Sequence, residues 1–251
     1  MKQLFGRLLL TIIFVISSMA LGSSQVVAAT LLSVDLGGGA TQSNFTSWDL
    51  AGAEVTGPVS TSFTTTNNLQ ITATFSGGNS VGNTATLNTR NRTNAPVNCG
   101  FFTQSALMSD RIVSLSNGSG RQGLFLELAG FAPNTSYHIQ VWGYDTNQNG
   151  ENGGKPGNFE LFDVTGVNNR SLGYYSVVGS AVPRTNDDYS VGGWLTSDSS
   201  GKIVVQSVSN IDGTGIMNGF VITAPEPRMS LLVVGGLGAL LMRSRCRNEP
   251  V

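Results

Sequence analysis

The chain has 251 residues, with 14 Lys and Arg, 15 Asp and Glu and one His, so only 12% of it is charged and the net charge is -1; about a quarter is usual. No basic cluster lies outside the two ends, which excludes a nucleic-acid partner, because nucleic-acid backbones are held by grouped Lys and Arg. An apolar content of 40% is enough for a packed core in one large domain or two small ones, and collagen or an acidic disordered tail is excluded.

At the N-terminus Lys2 and Arg7 precede an apolar stretch from Leu8 to Leu21, and Val27-Ala28-Ala29 supplies the small residues that a signal peptidase reads. This predicts a secretory signal peptide over residues 1–29, cut after Ala29, with a second small-residue cut after Gly22. The stretch is short for the ~20 residues of an uncleaved anchor. Signal peptidase is the first expected partner, and the body is expected to be exported.

Residues 30–224 lack a long segment of 3.6-residue apolar period, whereas short alternating segments recur between Gly, Asn and Asp turns. Strands are predicted at Leu31 to Leu36, Ser62 to Thr66, Leu69 to Phe75, Arg111 to Leu115, Gly123 to Leu128, Ser136 to Tyr144, Asn158 to Val164, Leu172 to Val178, Tyr189 to Leu195, Lys202 to Val208 and Met217 to Thr223. The fold class is therefore all-β, a β-sandwich read as a jelly roll. Arg90, Arg92 and Arg111 flank a long segment without strand pattern, expected to be a loop.

Within the body, His138 is the one imidazole, set mid-strand, and the sequence has no G-x-S-x-G. A nucleophile triad and a zinc centre both need more than this. Asp145-Thr146-Asn147-Gln148-Asn149-Gly150 copies the first half of a calcium loop, in which alternate oxygen side chains converge on a hard cation. The twelfth position is Pro156, where a bidentate Glu is needed, so Asp145, Asn147 and Asn149 are candidate calcium ligands or simply turn residues. Calcium is the single cofactor considered. Trp142, Tyr144, Trp194, Tyr174 and Tyr175 are candidates for a platform that stacks on the apolar face of a sugar ring, the other use of such residues being core packing. The body's 13 acidic residues show no spacing that singles out a glycosidase pair, so no catalytic residue is assigned. Cys99 is expected as a small buried hydrophobe.

The C-terminal segment, 225–251, opens with Pro225-Glu226-Pro227-Arg228, continues as an apolar run from Met229 to Met242, and ends with Arg243, Arg245 and Arg247. Fourteen helical residues reach only about 21 Å, short of a ~30 Å hydrocarbon core. The arginines would stay cytoplasmic and leave the body outside. Pro225, Glu226 and Pro227, the short helix and the arginine cluster together resemble the PEP-CTERM sorting signal of Gram-negative bacteria, although here Ser244 and Cys246 separate the arginines. The resemblance implies recognition by an exosortase, transient insertion in the inner membrane, cleavage near Pro225-Glu226-Pro227 and delivery to the cell surface or extracellular matrix. The alternative is a plain tail anchor.

A second, shorter resemblance lies in Leu128-Ala129-Gly130-Phe131-Ala132-Pro133-Asn134-Thr135-Ser136-Tyr137, in Val141-Trp142-Gly143-Tyr144-Asp145 and in Asn218-Gly219-Phe220-Val221-Ile222, which look like pieces of galactose-binding-like and malectin-like jelly rolls. The functional expectation is an exported, non-catalytic structural or carbohydrate-contacting module with extracellular polysaccharide as partner. An exported enzyme using paired carboxylates and a self-assembling surface-layer unit are the alternatives.

Overall fold

A computed structural model of the chain describes residues 28–50, 54–78, 81, 85–91, 96–114, 123–144, 158–176, 182–209 and 214–225. In chain order the strands are β1 (Thr30–Leu36), β2 (Thr46–Trp48), β3 (Val55–Thr56), β4 (Val59–Thr64), β5 (Gln70–Gly78), β6 (Thr86–Asn91), β7 (Asp110–Ser114), β8 (Gly123–Ala129), β9 (Ser136–Trp142), β10 (Asn158–Asp163), β11 (Arg170–Ser176), β12 (Ser190–Thr196), β13 (Lys202–Ser209), β14 (Gly215–Met217) and β15 (Gly219–Thr223). Among the described residues there is no helix, so none long and apolar enough to cross a membrane. The all-β expectation holds.

Among the described residues three sheets form: a five-stranded one ordered β12-β9-β15-β1-β2, a six-stranded one ordered β11-β10-β13-β8-β5-β4, and a four-stranded one ordered β14-β7-β6-β3. The period of two explains the packing. In β9, Tyr137, Ile139 and Val141 are buried while Ser136, His138 and Gln140 remain half-buried, so one face of the five-stranded sheet turns to the interior. There Val34, Ile139, Phe220 and Ile222 meet Phe75, Leu126, Leu128 and Val205 of the six-stranded sheet in one apolar cluster, joined by Leu87 and Ile112 of the four-stranded sheet. Burying each such side chain contributes about 1.5–3 kcal/mol against the entropy of ordering it.

A smaller cluster sits on the outward face of the five-stranded sheet, where Phe102, Leu107 and Met108 cover Trp142 and Tyr144. Its lid is the irregular segment from Pro96 to Ser109. At one margin β12 and β11, the edge strands of two different sheets, run side by side: Arg170 Nη2 donates to the Trp194 carbonyl (3.0 Å), and a Cβ on Gly173 would lie 2.9 Å from Val191 Cγ2.

Several elements depart from the sequence reading. β2, β3 and β6 carry too few alternating apolar residues to register as strands, and they form because a neighbour offers a ladder. Arg90 and Arg111 lie at the ends of β6 and β7, pair opposite one another and flank the irregular segment between these strands, while Arg92 lies outside the described residues. The strand expected from Met217 to Thr223 is divided at Asn218, whose side chain donates to the Asp110 carbonyl (2.7 Å) and accepts from the Tyr144 amide (2.5 Å). Cys99 is exposed, not buried, because it closes a tight turn with Phe102 through two reciprocal backbone bonds of 3.0 Å that leave its thiol outside. In a Cys246→Ser chain, one equivalent of maleimide is expected to react with Cys99 under native conditions as fast as in urea; protection by folding would contradict this placement.

Candidate functional site

The outward face of β12 and β9 is set by short side chains. Along β12 the outward positions are Ser190, Gly192, Trp194 and Thr196, facing Trp142, Gln140, His138 and Ser136 across the ladder. Gly192 has no alternative: a Cβ there would lie 2.4 Å from the Ile139 carbonyl oxygen, so β12 could not approach β9.

Trp194 stands 48% exposed on this ground. Its ring meets that of His138 edge-on, with centroids 5.5 Å apart and an interplanar angle of 69°. Burial lowers the His138 pKa below its ordinary value, so the imidazole is neutral at physiological pH and offers one donor and one acceptor. The rest of the face is hydroxyl and amide: Gln140 Nε2 donates to Ser190 Oγ (2.9 Å) and Asp187 Oδ1 (3.3 Å), and Ser136 Oγ and Thr196 Oγ1 lie 2.9 Å apart.

Four residues up β12, about 13 Å at the rise of a strand, Ser190 opens on a cleft of about 500 Å³ lined by Tyr174, Tyr175, Val182, Arg184, Asp188 and Tyr189. Tyr174 is 61% exposed. Tyr189 has a φ of +60°, a left-handed conformation that bulky residues rarely adopt. Its ring lies 4.7 Å from that of Tyr144, which fixes it in the cleft wall. Asp188 accepts from the Arg184 and Thr185 amides and from Thr185 Oγ1 (3.0 Å). The Arg184 amide, with help from Thr185 and the Arg184 charge, holds the Asp188 carboxyl below the usual carboxylate range, so it is ionised. Burial, and then the charge of Asp188, raise the Tyr189 phenol. The surface thus offers two exposed aromatic faces, a carboxylate, a guanidinium and several hydroxyls, the groups that stack on a pyranose ring and bond its hydroxyls.

The five aromatic residues singled out in the sequence do not form one platform. Trp194 and Tyr174 are exposed. Trp142, 3% exposed, donates its indole N–H to the Asn186 carbonyl (2.8 Å) beneath the lid, and Tyr144 is buried with it. Tyr175 is buried because strand alternation turns it inward from Tyr174; its hydroxyl donates to the Ile216 carbonyl (3.0 Å) and shares a hydrogen bond with the Ser207 hydroxyl. Burial pushes that phenol well above its ordinary pKa, so it stays a donor. Residues the sequence did not flag include Arg184, Asp188 and Tyr189, which a run of turn-forming Asn and Asp before an aromatic could have suggested.

Asp145, Asn147 and Asn149 lie outside the described residues, as do Glu226, Pro227, Arg243, Arg245 and Arg247. Ala29 and Pro225 are described: the Ala224 amide donates to the Ala29 carbonyl (2.9 Å), so both ends of the body leave from one place.

No protein-family model matches the sequence, and no curated protein does. Among solved structures, the chain overlaps a family 35 carbohydrate binding module from Clostridium thermocellum at 13% identity, over 67% of this chain and 98% of that one, with a TM-score of 0.30. It overlaps the C-terminal CBM6 of LamC from Zobellia galactanivorans at 15% identity, over 55% and 98%, with a TM-score of 0.25. The third overlap is with the CBM22-1-GH10 modules of Clostridium thermocellum endo-1,4-beta-D-xylanase 10B complexed with xylohexaose, at 12% identity over 55% of this chain and a TM-score of 0.31. This chain spans about a quarter of that one, 24%. Scores of this size do not establish a common fold.

Proposed function

We propose that this chain is an exported, non-catalytic module, a β-sandwich of jelly-roll type, that contacts carbohydrate through Trp194 and the Tyr174 cleft. In this reading signal peptidase removes residues 1–29, and an exosortase cuts near Pro225-Glu226-Pro227 after transient insertion of 229–242 in the inner membrane. The module is thereby released to the cell surface or into extracellular polysaccharide.

One observation carries the sugar-contacting part: a half-exposed tryptophan, met edge-on by a neutral imidazole, with the hydroxyl and amide side chains of Ser136, Thr196, Gln140 and Ser190 on the same face. Exposing a large indole on a soluble surface costs free energy that a stacked ligand recovers. The two terminal segments support the export part through their residue pattern alone.

A glycan array of neutral and acidic polysaccharides tests the contact: binding to at least one glycan class is expected, and an array without any signal overturns it. Intact-mass measurement of the cell-surface and extracellular protein tests the processing. The expected species starts at Thr30 and ends close to Pro225. A protein found only in the inner membrane and still carrying 229–242 would overturn the sorting reading while leaving the sugar contact to stand or fall on the array.

A further inference from the structure

A sheet edge invites another strand unless it is short, charged, broken or covered. Among the described residues every sheet edge but one is short or covered. β11 and β12, each the last strand of its own sheet, lie against one another. β2 and β14 have three residues each and β3 has two. The remaining edge is β4, six residues long, which ends the six-stranded sheet at the margin away from β11 and pairs there with β5 alone.

β4 carries none of the usual protections. Val59-Ser60-Thr61-Ser62-Phe63-Thr64 contains no proline and no charge, and no Asp, Glu, Lys, Arg or His occurs between Glu54 and Arg90. Its register runs without a bulge from Val59 opposite Phe75 to Thr64 opposite Gln70. On the solvent face the hydroxyls bond one another, Ser60 Oγ with Thr74 Oγ1 at 2.8 Å and Ser62 Oγ with Thr72 Oγ1 at 3.1 Å. The first charge met on that face going inward from the edge is Glu127 on β8, and Lys202 pairs with it at 2.9 Å. The Thr65 amide donates to the Leu69 carbonyl (2.9 Å) in the same register. By antiparallel alternation, the amides and carbonyls of Thr61 and Phe63 therefore turn to β5, and those of Ser60, Ser62 and Thr64 turn to the open side.

We infer that β4 is a self-association edge, to which a second copy of this chain adds its own β4 antiparallel, making one continuous sheet across a twofold axis. Such an interface must be complementary to itself, and this edge is. With Ser62 on the axis, opposite Ser62 of the partner subunit, Ser60 faces Thr64 of the partner subunit, and each of these residues has both its amide and its carbonyl bonded across the junction. The register also keeps the faces matched: hydroxyls meet hydroxyls on the solvent side, and Thr61 meets Phe63 of the partner subunit on the core side, a β-branched and aromatic pair. An uncharged edge raises no repulsion against its own copy, whereas a strongly charged partner would find no opposite charge on it. The edge lies at the margin away from Trp194, so pairing there is separate from any sugar contact.

The test is sedimentation velocity of the purified full-length chain from about 1 to 200 μM, the span of weak complexes. Monomer passing to dimer with rising concentration is expected. Ser62→Lys and Ser62→Glu each set like charges face to face on the axis and should raise the dimer dissociation constant roughly tenfold or more. An equimolar mixture of the two should dimerise at least as well as the unaltered chain, because Lys then faces Glu. Trp194→Ala should associate as the unaltered chain does. Residue-resolved hydrogen exchange on the unaltered chain needs no variant to fold: the amides of Ser60, Ser62 and Thr64 should exchange more slowly at high concentration than at low, while those of Thr61 and Phe63 stay the same. A chain that is monomeric throughout overturns self-pairing and leaves the edge to a strand of another protein. Dimerisation undiminished in both Ser62 variants overturns it too, as does a mixture that fails to recover the dimer, or exchange along β4 that ignores concentration.

Discussion

Trp194→Ala is expected to weaken binding to whichever polysaccharide the module takes by roughly thirtyfold, about 2 kcal/mol, the scale of a tryptophan anchor at an interface. Affinity electrophoresis in gels containing that polysaccharide reads the effect directly. Folding should be almost untouched, within about 0.5 kcal/mol, because the indole is half exposed and its one ring partner, His138, keeps its own place in the ladder. Trp142→Ala should do the reverse. That side chain is buried and its N–H is bonded to the Asn186 carbonyl, so its loss is expected to cost about 3–5 kcal/mol of stability. Any fall in binding would follow the unfolded fraction. Equal polysaccharide retention by Trp194→Ala and the unaltered chain would remove Trp194 from the contact.

Gly143→Ala is expected to be strongly destabilising. A Cβ at that position would lie 2.0 Å from Tyr175 Cε2. The tyrosine cannot step aside, since its hydroxyl is bonded to Ser207 and to the Ile216 carbonyl and its ring stacks near Phe159 at 6.2 Å and 12°. Gly143 cannot retreat either, because its amide donates to the Tyr189 carbonyl (3.0 Å). A destabilisation of about 3 kcal/mol is expected from this overpacking, visible as a lower urea midpoint at unchanged slope. Adding Tyr175→Leu to Gly143→Ala makes room for the methyl, so the double variant should be more stable than the sum of the two single losses. Strict additivity would show that the clash is relieved by backbone movement instead.

Trp194, Trp142 and Tyr175 show what was legible in the sequence and what was not. The period of two gave the long strands and their inward residues, because alternation reports directly on a sheet with one packed face: Tyr137, Ile139 and Val141, or Leu124, Leu126 and Leu128, are buried as their spacing requires. Alternation also separates Tyr174 from Tyr175, one outward and one inward. It cannot reveal that an outward residue is later covered. Trp142 and Tyr144 lie on the sheet's outer face, and their burial depends on the lid from Pro96 to Ser109, whose irregular, polar sequence carries no period. The short strands were hidden for a related reason: Thr86–Asn91 is almost entirely polar and becomes a strand only because β7 offers it a ladder.

The bond between the Ala224 amide and the Ala29 carbonyl makes the body a nearly closed ring of chain. Linking Ala29 to Ala224 through a few Gly and Ser residues and reopening the polypeptide at an exposed turn, such as Gly166, should give a circular permutant with the same fold. Such a permutant would carry fused cargo at a new position, away from the corner where the natural ends emerge.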